Sequence, residues 1–384
     1  MTTFDRRTFV GGVATVAASL VSGSACVAAE PQVASPVPAP KPSPSPDKWR
    51  GVNLGAWLVL EKWMTPSLFA GLKAGDEYTL SQELGKTKTA ALLKKHRDTF
   101  ITDADFAWIA ERGLNAVRLP VGYWIAEENP PYVSGWATVE RAFAQAKKHG
   151  LGVLLDLHGA PGSQNGMDHS GKSGELGWHK SPENLAQTLR VLENLSARVK
   201  GYTNLLGVEL LNEPLWDVPM DVLKKFYRDA YPLVRKQIPA DKFVVMHDGF
   251  RSGDWKTGFG EPDMKNTILD THLYQCFTEA DKKHDMHAHI EIAGLERKRL
   301  LDEMQKAMPV IVGEWSCGLP GESLRGLDAF EKRVAERAFG DAQLMSYETS
   351  RGWFFWNYKT ESEGGWNFRD CVKRGSLPSQ FGNV

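Results

Sequence analysis

Gly207-Val208-Glu209-Leu210-Leu211-Asn212-Glu213-Pro214 is a short apolar run that ends in a carboxylate. Val208, Leu210 and Leu211 follow a glycine, as expected of a strand covered on both faces. Pro214 has no N–H to give to a ladder, so the strand stops there and leaves Asn212 and Glu213 at its C-terminal mouth. Pro309-Val310-Ile311-Val312-Gly313-Glu314-Trp315 repeats the design and also ends in a glutamate. One Asn-Glu-Pro at a strand end is more often a polar terminus than a reactive acid. Two such strands gain meaning only if the rest of the chain brings their mouths together.

Working outward from this run, short apolar segments alternate with helical patterns, the mark of βα units on a parallel sheet. Runs fall at residues 50–55, 116–121, 153–159, 207–213, 243–248, 268–274, 309–315 and 353–358. Eight is the number that closes a (β/α)8 barrel, and a barrel collects side chains from the C-terminal ends of all its strands. The expected fold class is therefore α/β, a (β/α)8 TIM barrel in one catalytic domain. Thr102 with Asp105 forms a capping box, Phe106 and Ile109 face inward, and Gly113 ends that helix. Ser181-Pro182 opens another, with Leu185, Leu189, Leu192 and Val199 on one face. Ile292, Leu295, Met304 and Met308 mark a third. The connection 251–266 is Gly-rich and poorly helical.

The 384 residues carry a net charge of −1, with 42% hydrophobic and 24% charged residues, the balance of a globular protein with no bias toward nucleic acid or an acidic membrane. The 13 tryptophans stand out. An indole offers a flat apolar face and one N–H, which suits a pyranose ring lying flat in a pocket, though any single one can equally fill the core.

The ends of the chain divide into an export signal at 1–29, a Pro-rich linker at 30–48 and the catalytic domain at 49–384. Arg6-Arg7-Thr8-Phe9 followed by a mildly apolar Gly- and Ala-rich stretch is twin-arginine-like. Two processing patterns compete: ordinary cleavage near Val27-Ala28-Ala29, and a lipoprotein box at Gly23-Ser24-Ala25-Cys26 that would place a lipid anchor on Cys26. Pro31, Pro36, Pro38, Pro40, Pro42, Pro44 and Pro46 give an extended spacer. The product is expected outside the cytoplasm, periplasmic, extracellular or at the cell surface, and monomeric. Cys276, Cys317 and Cys371 lack metal-ligand spacing and are expected as free, mostly buried thiols.

Polar residues end nearly every run: Asn53, Arg118, His158, Asn212 with Glu213, His272 with Tyr274, Glu314, and Trp356. Paired carboxylates facing one pocket are what glycoside hydrolysis needs. Residues 50–61, Trp63, 65–69, 117–122, the string His158-Gly159-Ala160-Pro161-Gly162-Ser163-Gln164-Asn165-Gly166, Asn212-Glu213-Pro214, Gly313-Glu314-Trp315-Ser316 and Trp356 resemble the exo-β-1,3-glucanases of glycoside hydrolase family 5. Trp366-Asn367-Phe368 is similar to that group's C-terminal segment. The resemblance covers residue 49 to the end. It implies a retaining mechanism on β-glucan with release of glucose, no cofactor and no metal. Carried over by position, it makes Glu213 the acid/base and Glu314 the nucleophile. Asn212 would bind the sugar 2-hydroxyl, and Arg118 and Tyr274 would hold the nucleophile. His158, His272 and Trp356 would shape the first sugar subsite, and Glu61 would take distal hydroxyls. Asp168 and Phe277 join the set at the entrance. Met167 stands where the group has an aromatic, His169 where Asn is common, and Ala56 where Gly is usual.

Chemistry then sets expectations for the pair. Glu314 should be a carboxylate beside Arg118, and its charge should keep Glu213 protonated at rest. Esterification of Glu314 would release Glu213 to act as base. Within the enzymes, the alternative is a β-1,6-glucanase or a β-glucosidase acting on a glucoside with an apolar aglycone. Outside them, it is a non-catalytic carbohydrate-binding surface lipoprotein. The His284, Asp285, His287, His289 cluster is expected to be a solvated loop or helix start, and Glu209 to plug the barrel interior.

Overall fold

The computed structural model describes residues 47–257 and 264–382. The expected signal, Cys26 and nearly all of the linker lie outside the described residues. Eight parallel strands hydrogen-bond in chain order and close into a barrel. They are β1 (Trp49–Asn53), β2 (Ala116–Gly122), β3 (Gly152–Gly159), β4 (Leu205–Glu209), β5 (Phe243–His247), β6 (Thr267–His272), β7 (Val310–Trp315) and β8 (Gly352–Phe355). Closure runs through Trp49↔Gly352 and Val52↔Phe355, so the sheet has no open edge. Each apolar run read from the sequence overlaps one strand.

The helices are α1 (Glu77–Thr99), α2 (Asp103–Glu111), α3 (Trp136–Lys148), α4 (Pro182–Val199), α5 (Met220–Gln237), α6 (Met286–Glu291), α7 (Arg297–Met304), α8 (Ala329–Tyr347) and α9 (Phe368–Arg374). The two expected helix starts are present: Asp105 accepts from the Thr102 N–H at 2.8 Å, and Ser181 caps α4 with Pro182 at its first position. The connection from β5 to β6 carries only a 3-10 turn, Ser252–Trp255, among its described residues. The third expected helix is broken. A π-turn at Ile292–Glu296 separates α6 from α7, and the extra residue in its turn moves the inward face to Ala293 and Leu301 while Leu295 is half exposed. Met308 lies beyond the end of α7. Cys276, Cys317 and Cys371 are free thiols, the last two buried.

The barrel interior is layered by the two-residue period of its strands. Trp49, Ala116, Leu154, Leu206, Val245, Ile268, Ile311 and Phe354 pack as an apolar floor. Two residues after Ala116, Leu154 and Ile268 come Arg118, Asp156 and Asp270, one layer higher and fully buried. Two further on from the acids come His158 and His272, at the mouth. The polar layer constrains the backbone. The Gly313 N–H donates to Asp270 Oδ1 at 2.6 Å, and a β-carbon at 313 would lie 1.9 Å from the other oxygen. Only glycine fits one residue before Glu314.

The C-terminal segment is tied to α2 through Asp105. Besides capping its own helix, Asp105 accepts from the Tyr358 hydroxyl at 2.9 Å, from Lys359 at 3.0 Å and from Arg369 at 3.2 Å. Burial opposes its charge, but these donors outweigh burial and hold its carboxyl below the ordinary value. A carboxylate with a depressed folded pKa contributes stability above its unfolded pKa of about 4, which is lost as pH falls through the folded value. Asp105→Ala should therefore cost about 2–3 kcal/mol in urea unfolding at pH 7, and the gap from wild type should narrow at pH 3. An equal gap at both pH values would contradict this role for the charge.

Candidate active site

Glu213 and Glu314 reach the same cavity by different routes. β4 ends at Glu209, four residues short of Glu213, yet the chain beyond it still bonds to both neighbouring strands. Leu210 N–H donates to Val245 O, and Asn212 N–H donates to Leu157 O, each at 2.9 Å. Glu213 then takes φ +41°, a left-handed conformation that costs a non-glycine residue of order 1 kcal/mol or more. Glu314 needs no such turn, because it lies within β7.

Beneath the cavity, the Arg118 guanidinium spends its donors on five side chains. Nε meets Glu209 at 2.7 Å; Nη1 meets Asn53 at 3.0 Å and Glu314 Oε1 at 3.1 Å; Nη2 meets Asn212 Oδ1 at 2.7 Å and Asp156 at 3.2 Å. Burial works against its charge, but Asp156, Glu209 and Glu314 more than offset this. Glu209 is thus the interior plug expected. Because Asn212 Oδ1 faces Arg118, its Nδ2 is a buried donor with no protein partner. His158 gives Nδ1 to Asp156 at 2.7 Å and stacks on Trp356, with ring centroids 5.3 Å apart and planes 3° from parallel. Burial lowers the His158 pKa, so the ring is neutral, and its buried Nε2 is an unused acceptor. The Tyr274 hydroxyl donates to Glu314 Oε2 at 2.8 Å.

His272 lies between the two glutamates and does not line the cavity, which corrects its expected place in the sugar subsite. Its Nδ1 is 2.7 Å from Glu213 Oε1 and 3.4 Å from Glu314 Oε2. The two nearest carboxylate oxygens are therefore no farther apart than these contacts laid end to end. So close an approach favours a retaining pair, which keeps roughly 5–5.5 Å between its carboxyl groups. The same histidine relocates the resting proton. Burial alone would lower its pKa, but Glu314, Asp270 and Glu213 raise it well above the ordinary histidine value. Burial pulls Glu213 up, yet the His272 hydrogen bond and the charges of His272 and His169 hold it low. Glu314 is pushed up to about 7, chiefly by burial with the Glu213 charge added, against His272 and Arg118. The electrostatics thus favour the proton on His272 over Glu213, one short hydrogen bond away.

The cavity holds about 550 Å3, within the range of small-molecule sites. Glu61, His158, Asp168, Glu213, Glu314 and Trp356 form its inner part. Glu61 accepts from the Trp63 indole at 2.8 Å, while its buried Oε1 has no partner. Burial, then the charge of Asp168, raises its pKa well above the ordinary range. Gly55 makes room for Trp356, since a β-carbon there would lie 2.8 Å from the ring. Ala56 carries φ +55°, which explains why glycine is usual at that position. The outer wall is aromatic. Phe277, with Tyr274 at 5.4 Å and Trp366 at 5.9 Å, makes one side, and Trp216 with Phe250 at 6.0 Å another, beside Met167.

Every residue singled out for this site therefore lies in or directly beneath one cavity. Sequence reasoning missed Trp216 and Phe250 as wall residues, and it treated Trp63, Trp366 and His169 only as points of likeness or departure. His169 lies 3.4 Å from Glu213 Oε2. Two groups, Glu213–His247–His272 and Glu209–Asp270–His272, are close enough to raise the question of a metal. The donor set does not fit one. In the first group His272 Nδ1 is already bonded to Glu213 at 2.7 Å, and in the second the Arg118 cation already pairs with Glu209 at 2.7 Å and with Asp270 at 3.9 Å. The His284–His289 cluster is a helix start, with Asp285 capping α6, except that His289 is buried between Gln275 and Ser323 rather than solvated.

A closed β/α barrel with two buried carboxylates at its mouth defines a glycoside hydrolase, acting on O-glycosyl bonds. The family described as Cellulase (glycosyl hydrolase family 5) matches residues 80–362. Probable glucan 1,3-beta-glucosidase A of Emericella nidulans is 40% identical over 374 residues, covering 86% of this chain and 90% of its own. Glucan 1,3-beta-glucosidase of Blumeria graminis is 39% identical over 377 residues, covering 86% and 87%. This chain belongs to glycosyl hydrolase family 5. Among solved structures, rutinosidase from Aspergillus niger shares the fold at a TM-score of 0.70 and 20% identity, covering 86% of this chain and 97% of that one.

Because the Glu213 charge helps to raise Glu314, Glu213→Gln should move the acid limb of kcat/KM to lower pH. The test uses a dinitrophenyl β-glucoside, whose leaving group needs no acid. An unmoved or raised acid limb would show that the two carboxylates do not interact.

Proposed function

We propose that this protein is a retaining exo-β-1,3-glucan hydrolase that releases glucose by double displacement, with Glu213 as acid/base and Glu314 as nucleophile. The observation that carries the reading is the single His272 nitrogen within reach of both carboxylates, which holds the pair close together and so favours direct attack over a water-spaced pair. The names of the relatives support β-1,3-glucan as substrate, and they do not favour the β-1,6 or apolar-aglycone alternatives.

In this account Glu314, held by Arg118 and Tyr274, attacks the anomeric carbon. Glu213, taking its proton across the 2.7 Å contact with His272, protonates the departing oxygen. The unpartnered Nδ2 of Asn212 donates to the sugar 2-hydroxyl. His158 Nε2 and Glu61 Oε1 accept from other hydroxyls, and the Trp356 face receives the ring. Asp168 accepts from a hydroxyl beside Glu61, and Phe277 contacts substrate at the entrance. Once Glu314 is an ester its charge is gone, and ionised Glu213 draws a proton from water, which returns glucose with its configuration kept. We further propose that residues 1–29 direct export by a twin-arginine-like route, with residues 30–48 as spacer, and that the catalytic domain acts as a monomer outside the cytoplasm. A lipid on Cys26 is the finer form of that reading.

An NMR time course on laminarin-type β-1,3-glucan tests the activity. β-Glucose should appear first, and Glu314→Ala and Glu213→Ala should each lose about a thousandfold or more in rate. Initial α-glucose would contradict retention.

A further inference from the structure

Each carboxylate oxygen of Glu213 faces an imidazole, and the chemistry above uses only one of them. Oε1 meets His272 Nδ1 at 2.7 Å, and Oε2 meets His169 Nε2 at 3.4 Å. His169 sits in a 3-10 turn, Asp168–Ser170. The turn is tied down: the His169 N–H donates to Asp168 Oδ1 at 3.0 Å, and the Ser170 hydroxyl donates to Met167 O at 2.7 Å. The His169 side chain is only 13% exposed, and its ring centroid lies 5.5 Å from that of His158. The hydrogen on this ring can be placed. Nε2 also lies 3.3 Å from Met167 Sδ, so a thioether and a carboxylate, both acceptors, flank it. Nδ1 is buried with no partner. A lone pair on Nε2 would face two others, so the proton sits on Nε2 and the N–H edge is turned toward Glu213.

Burial lowers the His169 pKa, and His158 adds to this against the charges of Glu213, Asp168 and Glu314, so the ring is a neutral donor. At 3.4 Å the contact with Glu213 is longer than a full hydrogen bond. It acts as an oriented dipole on a charge, which still favours the ionised carboxyl. The step that needs this partner is the second displacement. His272 owes its raised pKa first to the Glu314 charge. When Glu314 becomes an ester that support is gone, and His272 weakens as a partner just when Glu213 must be ionised to draw a proton from water. His169 depends on Glu314 less than on Glu213, His158 or Asp168. We infer that His169, kept in its Nε2–H form by Met167, is a positioning residue that holds Glu213 ionised while the glycosyl-enzyme is hydrolysed. The inference rests on the double-displacement reading and deepens it.

The test isolates that step. Wild type, His169→Leu and His169→Gln are each converted to the ester with 2-deoxy-2-fluoro-β-glucosyl fluoride, freed of reagent, and followed across pH as activity returns. Hydrolysis of the ester needs ionised Glu213, so the acid limb of the reactivation rate reads the Glu213 pKa in the intermediate. Losing the N–H donor destabilises the carboxylate and raises that pKa. The limb should therefore move up by about one pH unit in His169→Leu, with reactivation about tenfold slower at pH values below it. Glutamine offers an amide N–H near the place of Nε2, so His169→Gln should return most of the shift. A limb that stays in place in His169→Leu, a limb that moves equally in both variants, or a loss of rate uniform across pH would overturn the role and leave His169 as loop packing. Failure of wild type to form the ester at all would defeat the double-displacement reading, and the inference with it.

Discussion

The site depends on one buried cation. Arg118 lies inside a closed barrel, out of contact with water, among Asp156, Glu209, Glu314 and Asp270. Stripping water from such groups costs several kcal/mol per ion, and only multiple well-aligned contacts offset it. Arg118 supplies them because its planar fork can face several acceptors at once, which a lysine could not do. Three consequences follow from that geometry. Glu314 is fixed by one oxygen, Asn212 is turned so that its donor faces the cavity, and Asp156 is placed to orient His158. The inner part of the site is thereby aligned before any ligand arrives, which is how fixed dipoles contribute most to a transition state.

The histidines do for the proton what Arg118 does for the carboxylates. His272 contacts both glutamates, His169 approaches Glu213 from the far side, and His247 packs against His272 with ring centroids 4.4 Å apart. The cluster titrates as a unit, so the protonation states of Glu213 and Glu314 belong to the group and not to either residue alone.

Much of this was legible in the chain. Eight apolar runs ending in polar residues dictate a barrel, because only a parallel sheet buried on both faces needs them and only a closed one brings their ends together. Arg118 and His158 could be found because strand periodicity stacks them above the apolar floor, and Glu213 and Glu314 because each closes an apolar run. What stayed hidden lacks any period. The π-turn at 292–296 shifts a helical face without a composition signal. Trp216 and Phe250 sit on loops, where the sequence pattern cannot say whether an aromatic is buried or displayed. The resting place of the proton was misjudged for a related reason. Glu314 as a neighbour of Glu213 can be read from two strands, but the 2.7 Å contact that lets His272 take the proton is a matter of packing.

The most direct test of the account is to trap the glycosyl-enzyme. Wild type is incubated with 2-deoxy-2-fluoro-β-glucosyl fluoride, digested, and the labelled peptide sequenced by mass spectrometry. The account predicts one sugar per chain, linked to Glu314, with activity returning as the ester turns over. A label on any other carboxylate, or an active enzyme that takes up no label, would contradict it.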